Sequence, residues 1–321
     1  MWKESLTNIC EKMTRCLGLW IILLLQFSYS KELKLIYIIG NDQFYQLRKV
    51  AVNKTGIYLL DSGSQTVFHY SINGDLISRV SNPGQGPGEF IEPVDIDVTG
   101  DTLWILGHTL MRIGEFVSGD FVRSFQMEKM PISFTRINNR FIVGQIFSSS
   151  FLSIFSSNGI LLDSALLQGA AKRKINGSPF PVFSTLIHMT SSNSHIYITY
   201  EYKNAVEKYS PDLRLLKSRK ISKKLKEPRV QDGGNNQWFI DGNAIAKDIQ
   251  YSNGRIYVLW MKQELTVDCE GLSQISVFDE KLRHEMDIVL PDCILGFDIY
   301  DGKLYGVCEE PHPKVMVYEI E

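Results

Sequence analysis

Three glycines at alternate positions, Gly84, Gly86 and Gly88, are the first residues in this chain whose spacing invites a chemical reading. They lie in Asn82–Val98, NPGQGPGEFIEPVDIDV. A dinucleotide-binding loop needs Gly-x-Gly-x-x-Gly opening a helix, so that backbone N–H groups and the helix N-terminus can meet a phosphate. Here Glu89 stands where the third glycine belongs, no helix-forming run follows, and there is no Walker lysine. The stretch therefore reads as a rigid turn feeding a strand: the glycines admit unusual φ, Pro83, Pro87 and Pro93 fix φ, and the residues after Pro93 alternate apolar and polar. No serine-nucleophile motif or Cys-His pairing appears elsewhere. Cys269, Cys293 and Cys308 match no zinc spacing; they allow at most one disulfide with one thiol over, and buried thiols are the expectation.

The elements that must position any site repeat a single phrase of four short strands. Leu47–Val52, Gly56–Leu60, Thr66–Tyr70 and Asp75–Val80, with Asn73-Gly74 as a hairpin turn, make the first copy. Similar copies open at Pro93, Ile132, Ser184, Ala246 and Ile294. A period of about 50 residues with four strands per unit is that of propeller blades. The sixth copy lacks its fourth strand, and Leu33–Ile39, stranded ahead of the first copy, is the obvious donor. Closing the ring with both termini removes open sheet edges. No helical period and no linker divides the chain after residue 30. The expectation is all-β: a six-bladed β-propeller of four-stranded blades, one domain over residues 31–321.

Residues 1–30 read as a targeting segment. Lys3, Lys12 and Arg15 precede the apolar run Leu17–Phe27, and Ser28-Tyr29-Ser30 offers small residues for cleavage. The run falls short of the roughly 20 residues a spanning helix needs. Export with cleavage near Ser30, to the periplasm, cell surface or medium, is the first reading; an uncleaved anchor, the only membrane attachment foreseen, is the second. A formal charge of −2 gives no electrostatic reason to expect nucleic acid.

The opening stretch resembles the NHL repeat. Gly84, Gly86, Gly88, Phe90, Pro93 and the strand Val94–Val98 fit its Gly-x-Gly-x-Gly-x-Phe-x-x-Pro lead-in. The whole chain is similar to the exported six-bladed NHL-like propellers of Bacteroidetes. The other lead-ins depart from the motif. The resemblance implies a channel whose blade-to-blade loops and second-to-third-strand loops share one face, where binding residues tend to lie. Asp61, Gln85, Glu89, His108, Glu201, Glu309 and His312 fall in those loops. Trp238 joins them from the long loop Ser222–Asn243, which also carries Arg229, Asp232, Asn235, Asn236 and Asp241.

Some six-bladed relatives are lyases or lactonases whose metal is held by carboxylates and histidines near the channel. Nothing in the spacing brings Asp61, Glu89, His108, Glu201, Glu309, Glu310 and His312 together as such a set, and no catalytic residue is assigned. His69, His188, His195 and His284 sit in or beside strands and read as structural. The leading expectation is a monomeric binding module for a small molecule, glycan or protein, without a cofactor. A divalent metal belongs to the alternative, a metal-dependent lyase or lactonase.

Overall fold

The computed structural model describes residues 33–321 except 41–43, 146–151, 167–173, 176–177, 180–185, 235–236, 243, 262–272, 310 and 321. Leu33–Glu321 is one compact unit, and no helix occurs among its described residues. Six four-stranded antiparallel sheets follow each other along the chain. Blade 1 is Leu47–Asn53, Gly56–Asp61, Thr66–Tyr70 and Leu76–Arg79. The first strands of blades 2 to 6 are Pro93–Thr99, Pro131–Ile137, Ile187–Ser191, Ala246–Ser252 and Gly296–Tyr300. Each first strand packs against that of the next blade and blade 6 packs against blade 1, so the first strands line a closed channel.

Closure happens where the strand deficit foretold it. Lys34–Ile39 pairs antiparallel with Lys314–Glu319, from Lys34↔Glu319 to Ile39↔Val315, as the outer strand of blade 6. The first strand of blade 4 starts three residues later than the pattern suggested, at Ile187. The long loop Ser222–Asn243 contains a short hairpin that the pattern did not foretell, Arg229–Gly234 with Gln237–Asp241, and a second, Lys174–Ile175 with Ser178–Pro179, lies between blades 3 and 4. Met1–Glu32, and with it the targeting segment, lies outside the described residues.

The core is divided among the interfaces rather than gathered at the centre. Six clusters of buried side chains each join two neighbouring blades, such as Tyr58 and Leu60 of blade 1 with Phe90, Ile105 and Phe116 of blade 2. β-branched and aromatic residues alternate along the strands, so both faces of a blade can be buried against neighbours. The lead-in stretch belongs to this packing. Phe90 is fully buried between Gly107 and Gly114, where a Cβ on Gly114 would stand 2.6 Å from the Phe90 ring. Arg112 lies over that ring at 5.0 Å and donates to the Gly86 carbonyl at 2.9 Å and to the Glu89 carbonyl.

Polar links stitch the inner strands. Asp95 accepts from the N–H of Ile96 in its own strand and of Phe134 in the next blade. Asp248 does the same with Ile249 and Phe297, and Asp298 with Ile299 and Val52, across the closing seam. Thr190 plays the part between blades 4 and 5, accepting from the Tyr251 N–H. Lys49 reaches Asp248 at 2.6 Å and Asp95 at 3.9 Å. Burial works against its charge, yet the attraction of Asp248 and Asp95 outweighs that and raises its pKa.

Burial lifts the Asp298 carboxyl to about 7 although its two N–H donors favour the anion, and nearby Asp248 and Asp97 add to the rise. Burial likewise lifts Asp97 to about 6, against the pull of Arg136.

Two outcomes are expected. Gly114→Ala overpacks the Phe90 ring and lowers stability by about 1–3 kcal/mol, and Phe90→Ala by about 3–5 kcal/mol, read by urea denaturation. For Asp298 and Asp97 the folded pKa exceeds the unfolded value of about 3.9, so the folded chain holds protons that the unfolded chain releases. Their contribution is complete below about pH 4 and is lost as pH rises through 6 and 7. Thermal stability should therefore fall between pH 5 and pH 8, and Asp298→Asn should flatten that fall; an unchanged slope in the variant refutes the assignment.

Candidate functional site

A repeated backbone irregularity builds the channel mouth. In blades 1, 2, 3 and 5 the inner strand skips one residue in its register with the second strand: between Leu47 and Lys49, Pro93 and Asp95, Pro131 and Ser133, and Ala246 and Asp248. Such bulges leave the extra residue unpaired and re-aim its side chain. The skipped residues are Arg48, Val94, Ile132 and Lys247. His188 holds the corresponding second position in blade 4, and Leu295 precedes the inner strand of blade 6. All six line the mouth cavities. Around the mouth the inner ring thus reads Arg48, Val94, Ile132, His188, Lys247, Leu295: three basic residues, three apolar ones and no acid.

A second ring stands outside it, one residue past the second strands. The N–H groups of Ser62, His108 and Glu201 donate to the carbonyls of Gln46, Glu92 and Leu186, which pins each loop to the start of its own inner strand. Glu309 follows the second strand of blade 6 in the same way. The two rings enclose a cavity of about 510 Å³ lined by Arg48, His108, His188 and Glu201 on its polar side and by Pro93, Val94 and Ile132 on its apolar side. It adjoins one of about 210 Å³ that shares Arg48, His188 and Glu201 and adds Lys247, Leu295 and Glu309. Together they have the size of small-molecule sites. A third cavity, about 610 Å³, occupies the other half of the channel beside Asp97, Arg136 and Asp298.

Electrostatics within the mouth are asymmetric. His188 Nε2 is buried, makes no hydrogen bond and lies 3.5 Å from Glu201 Oε1. Burial acts to raise the Glu201 pKa, but His188, Lys247 and Arg48 prevail and hold it below the ordinary value. His108 Nδ1 is 2.7 Å from the Pro131 carbonyl, which can only accept; Nδ1 must carry the proton, leaving Nε2 of the neutral ring as a lone pair. Glu92 accepts from the Thr109 hydroxyl.

Of the eight residues singled out in the sequence, the structure brings His108, Glu201 and Glu309 to the mouth. Asp61 lies one residue short: it is buried, and its oxygens accept from the N–H groups of Tyr45, Gln46 and Gly63 and from the Ser64 hydroxyl. Ser62 takes the ring position. Glu89 closes the lead-in turn by accepting from the Gly86 N–H at 2.9 Å, and Gln85 is exposed; neither lines a mouth cavity. His312 is exposed and also lies off the cavities. Trp238 falls in the strand Gln237–Asp241, and its side chain, like Asn235, Asn236 and Glu310, lies outside what is described.

Arg48, His188 and Lys247 had not been singled out. His188 had read as structural because it sits in a strand; the bulge that opens the neighbouring strands carries no residue-type signal of its own. His69, by contrast, stacks on Tyr58 at 4.3 Å, and His284 bonds Asp287. Among the described residues no three histidines, cysteines or carboxylates gather as a metal set. Cys293 is disulfide-bonded, with its partner outside the described residues, and Cys308 keeps a buried thiol. No helix of the described residues is long and apolar enough to cross a membrane.

This ring of six antiparallel blades makes the chain a six-bladed β-propeller, and comparison with known proteins agrees. A family model described as a 6-bladed β-propeller matches residues 41–140. No curated protein matches the chain at a significant level. Among solved structures, a Bacteroides fragilis protein described as exported is 10% identical with a TM-score of 0.60, over 92% of this chain and 97% of its own. A Bacteroides vulgatus protein gives the same identity and TM-score over 90% and 98%. Virginiamycin B lyase of Staphylococcus aureus is 11% identical with a TM-score of 0.55, over 90% and 99%. Likeness at such identities is likeness of fold.

The charge assignment has a direct readout. In Lys247→Met protein the Glu201 carboxyl loses one of the cations holding its pKa down and should titrate at higher pH than in the wild type. Carboxyl-carbon NMR checks this; an unmoved titration would mean that Lys247 does not face Glu201 in solution.

Proposed function

We propose that the protein is an exported propeller of the NHL-like kind that acts as a binding module, seating its ligand at the channel mouth. The observation that supports this most is the pair of rings: bulged inner-strand residues and loop residues from several blades converge on two adjoining cavities of about 510 and 210 Å³. A rigid scaffold presenting side chains from separate blades to one concavity pre-organises recognition. The buried, unbonded Nε2 of His188 and the lone pair of His108 are capacity that the fold itself does not use. Export is supported by the basic and apolar N-terminal segment and by the description of the Bacteroides fragilis relative.

The reading is tested by screening the purified protein against small molecules, glycans and peptides while following the ring signals of His108 and His188 by NMR. Ligands should perturb both signals, and Val94→Trp, which fills the cavity, should abolish the response while the thermal transition is retained. Binding that leaves both histidines unmoved would place the ligand elsewhere. A tightly bound calcium, zinc or manganese ion whose chelation lowers the transition would turn the reading towards the enzyme.

A further inference from the structure

The mouth divides into a basic end and an apolar end, and the division narrows the ligand. At one end Arg48 and Lys247 project from bulges in blades 1 and 5 into the smaller cavity, beside Leu295. Arg48 is exposed and Lys247 half-buried, and neither makes a hydrogen bond or an ion pair with a described residue. At the other end Pro93, Val94 and Ile132, with Leu186 and Ile187, wall the larger cavity. Arg48, His188 and Glu201 border both.

Glu201, 3.5 Å from His188, also feels both cations as attracting charges, and Glu92 accepts from Thr109; among the described residues neither acid takes a hydrogen bond from Arg48 or Lys247. The hydrogen-bonding capacity left over in the mouth is thus that of a guanidinium, with a fork of donors suited to a carboxylate, and an ammonium on the same side. An apolar wall beside unspent cationic donors matches a molecule with a charged head and a greasy body, whose body gains by leaving water while its head keeps charge-assisted hydrogen bonds.

We infer that the channel mouth binds an organic acid: a carboxylate held between Arg48 and Lys247, with an apolar body laid on Pro93, Val94 and Ile132. The inference rests on the mouth being the binding site, and goes further by fixing the ligand's charge and orientation. Ionic strength should matter, since the Arg48 end is open to solvent and screened by salt. Polarity of the body should matter in the opposite sense at the other end, where each added methylene strengthens binding until the wall is covered.

The test compares three ligands with one apolar body, octanoate, octanamide and octylamine, added to the full folded protein and followed by titration calorimetry and by the His108 and His188 NMR signals. Octanoate should bind at least about tenfold tighter than octanamide, and octylamine weakest, because a charge-assisted hydrogen bond is lost in one case and repulsion added in the other. Arg48→Gln and Lys247→Gln should each weaken octanoate by a larger factor than octanamide, whose carbonyl accepts a hydrogen bond but carries no charge; both side chains stand at the mouth rather than in the core, so the thermal transition should stay close to that of the wild type. Ile132→Asn should weaken octanoate and octanamide alike.

Equal affinity for octanoate and octanamide, or an octanoate affinity indifferent to both glutamine variants, overturns the assignment. If octylamine or octanamide moves the histidine signals and octanoate does not, the mouth is a binding site of another charge preference. If none of the three moves them, the organic-acid assignment falls, and the library screen separately decides whether the mouth binds anything.

Discussion

The interaction on which the rest of this structure depends is a carboxylate shared between two strands that belong to different blades. Blades are joined in sequence only by loops, and their interfaces are otherwise apolar and therefore nondirectional. An aspartate that accepts one N–H from its own strand and one from the neighbour's fixes the height of one blade against the next to within a hydrogen bond's tolerance. Asp95, Asp248 and Asp298 do this at three of the six interfaces, and at a fourth the Thr190 hydroxyl accepts from the neighbouring Tyr251 N–H. Where the strands agree in height, the residues one step nearer the mouth agree as well, and side chains distant in sequence form a ring.

The inner-strand bulges of blades 1, 2, 3 and 5 each displace one residue, Arg48, Val94, Ile132 or Lys247, out of the ladder with the second strand. All four line the mouth, and Val94 and Ile132 also pack against the interblade core. The residue after each bulge is Lys49, Asp95, Ser133 or Asp248, tied into the stitching: Lys49 reaches Asp248, and Ser133 donates to Asp95. The candidate site and the architecture thus occupy adjacent residues on the same strands, separated by the bulge.

Much of the architecture was legible in the sequence because it is written in periodicities. Alternation within strands, hairpin turns such as Asn73-Gly74 and the orphan strand before the first copy pointed to six blades and a shared last blade, and the Lys34–Ile39 pairing bears that out. The lead-in glycines marked a turn, and Gly88, at φ 76°, uses that freedom. The site was legible only in part. Loop position alone led to His108, Glu201 and Glu309, since a residue just past a second strand must stand near the channel wherever the strand ends. It misplaced Asp61 by one residue, and it could not separate Glu89, which closes its own turn, from a ligand-facing acid. Arg48 and Lys247 were hidden because they lie in strands whose alternation says nothing of a bulge, and His188 because a histidine paired within a strand carries no sign of facing a cavity.

The seam between Lys34–Ile39 and Lys314–Glu319 carries a consequence in time. The first strand of the propeller to leave the ribosome is hydrogen-bonded to the last, so five blades can be complete while the outer strand of the sixth still waits for the strand it pairs with. Until residue 319 is available the ring has two open flanks, with the apolar faces of blade 1 and blade 5 exposed where blade 6 will sit. The same seam then joins beginning to end without a covalent bond, by the ladder and by the packing of Ile39 and Tyr37 against blade 1, as a clasp rather than a link. Loss of the first strand would leave Lys314–Glu319 as an unpaired edge.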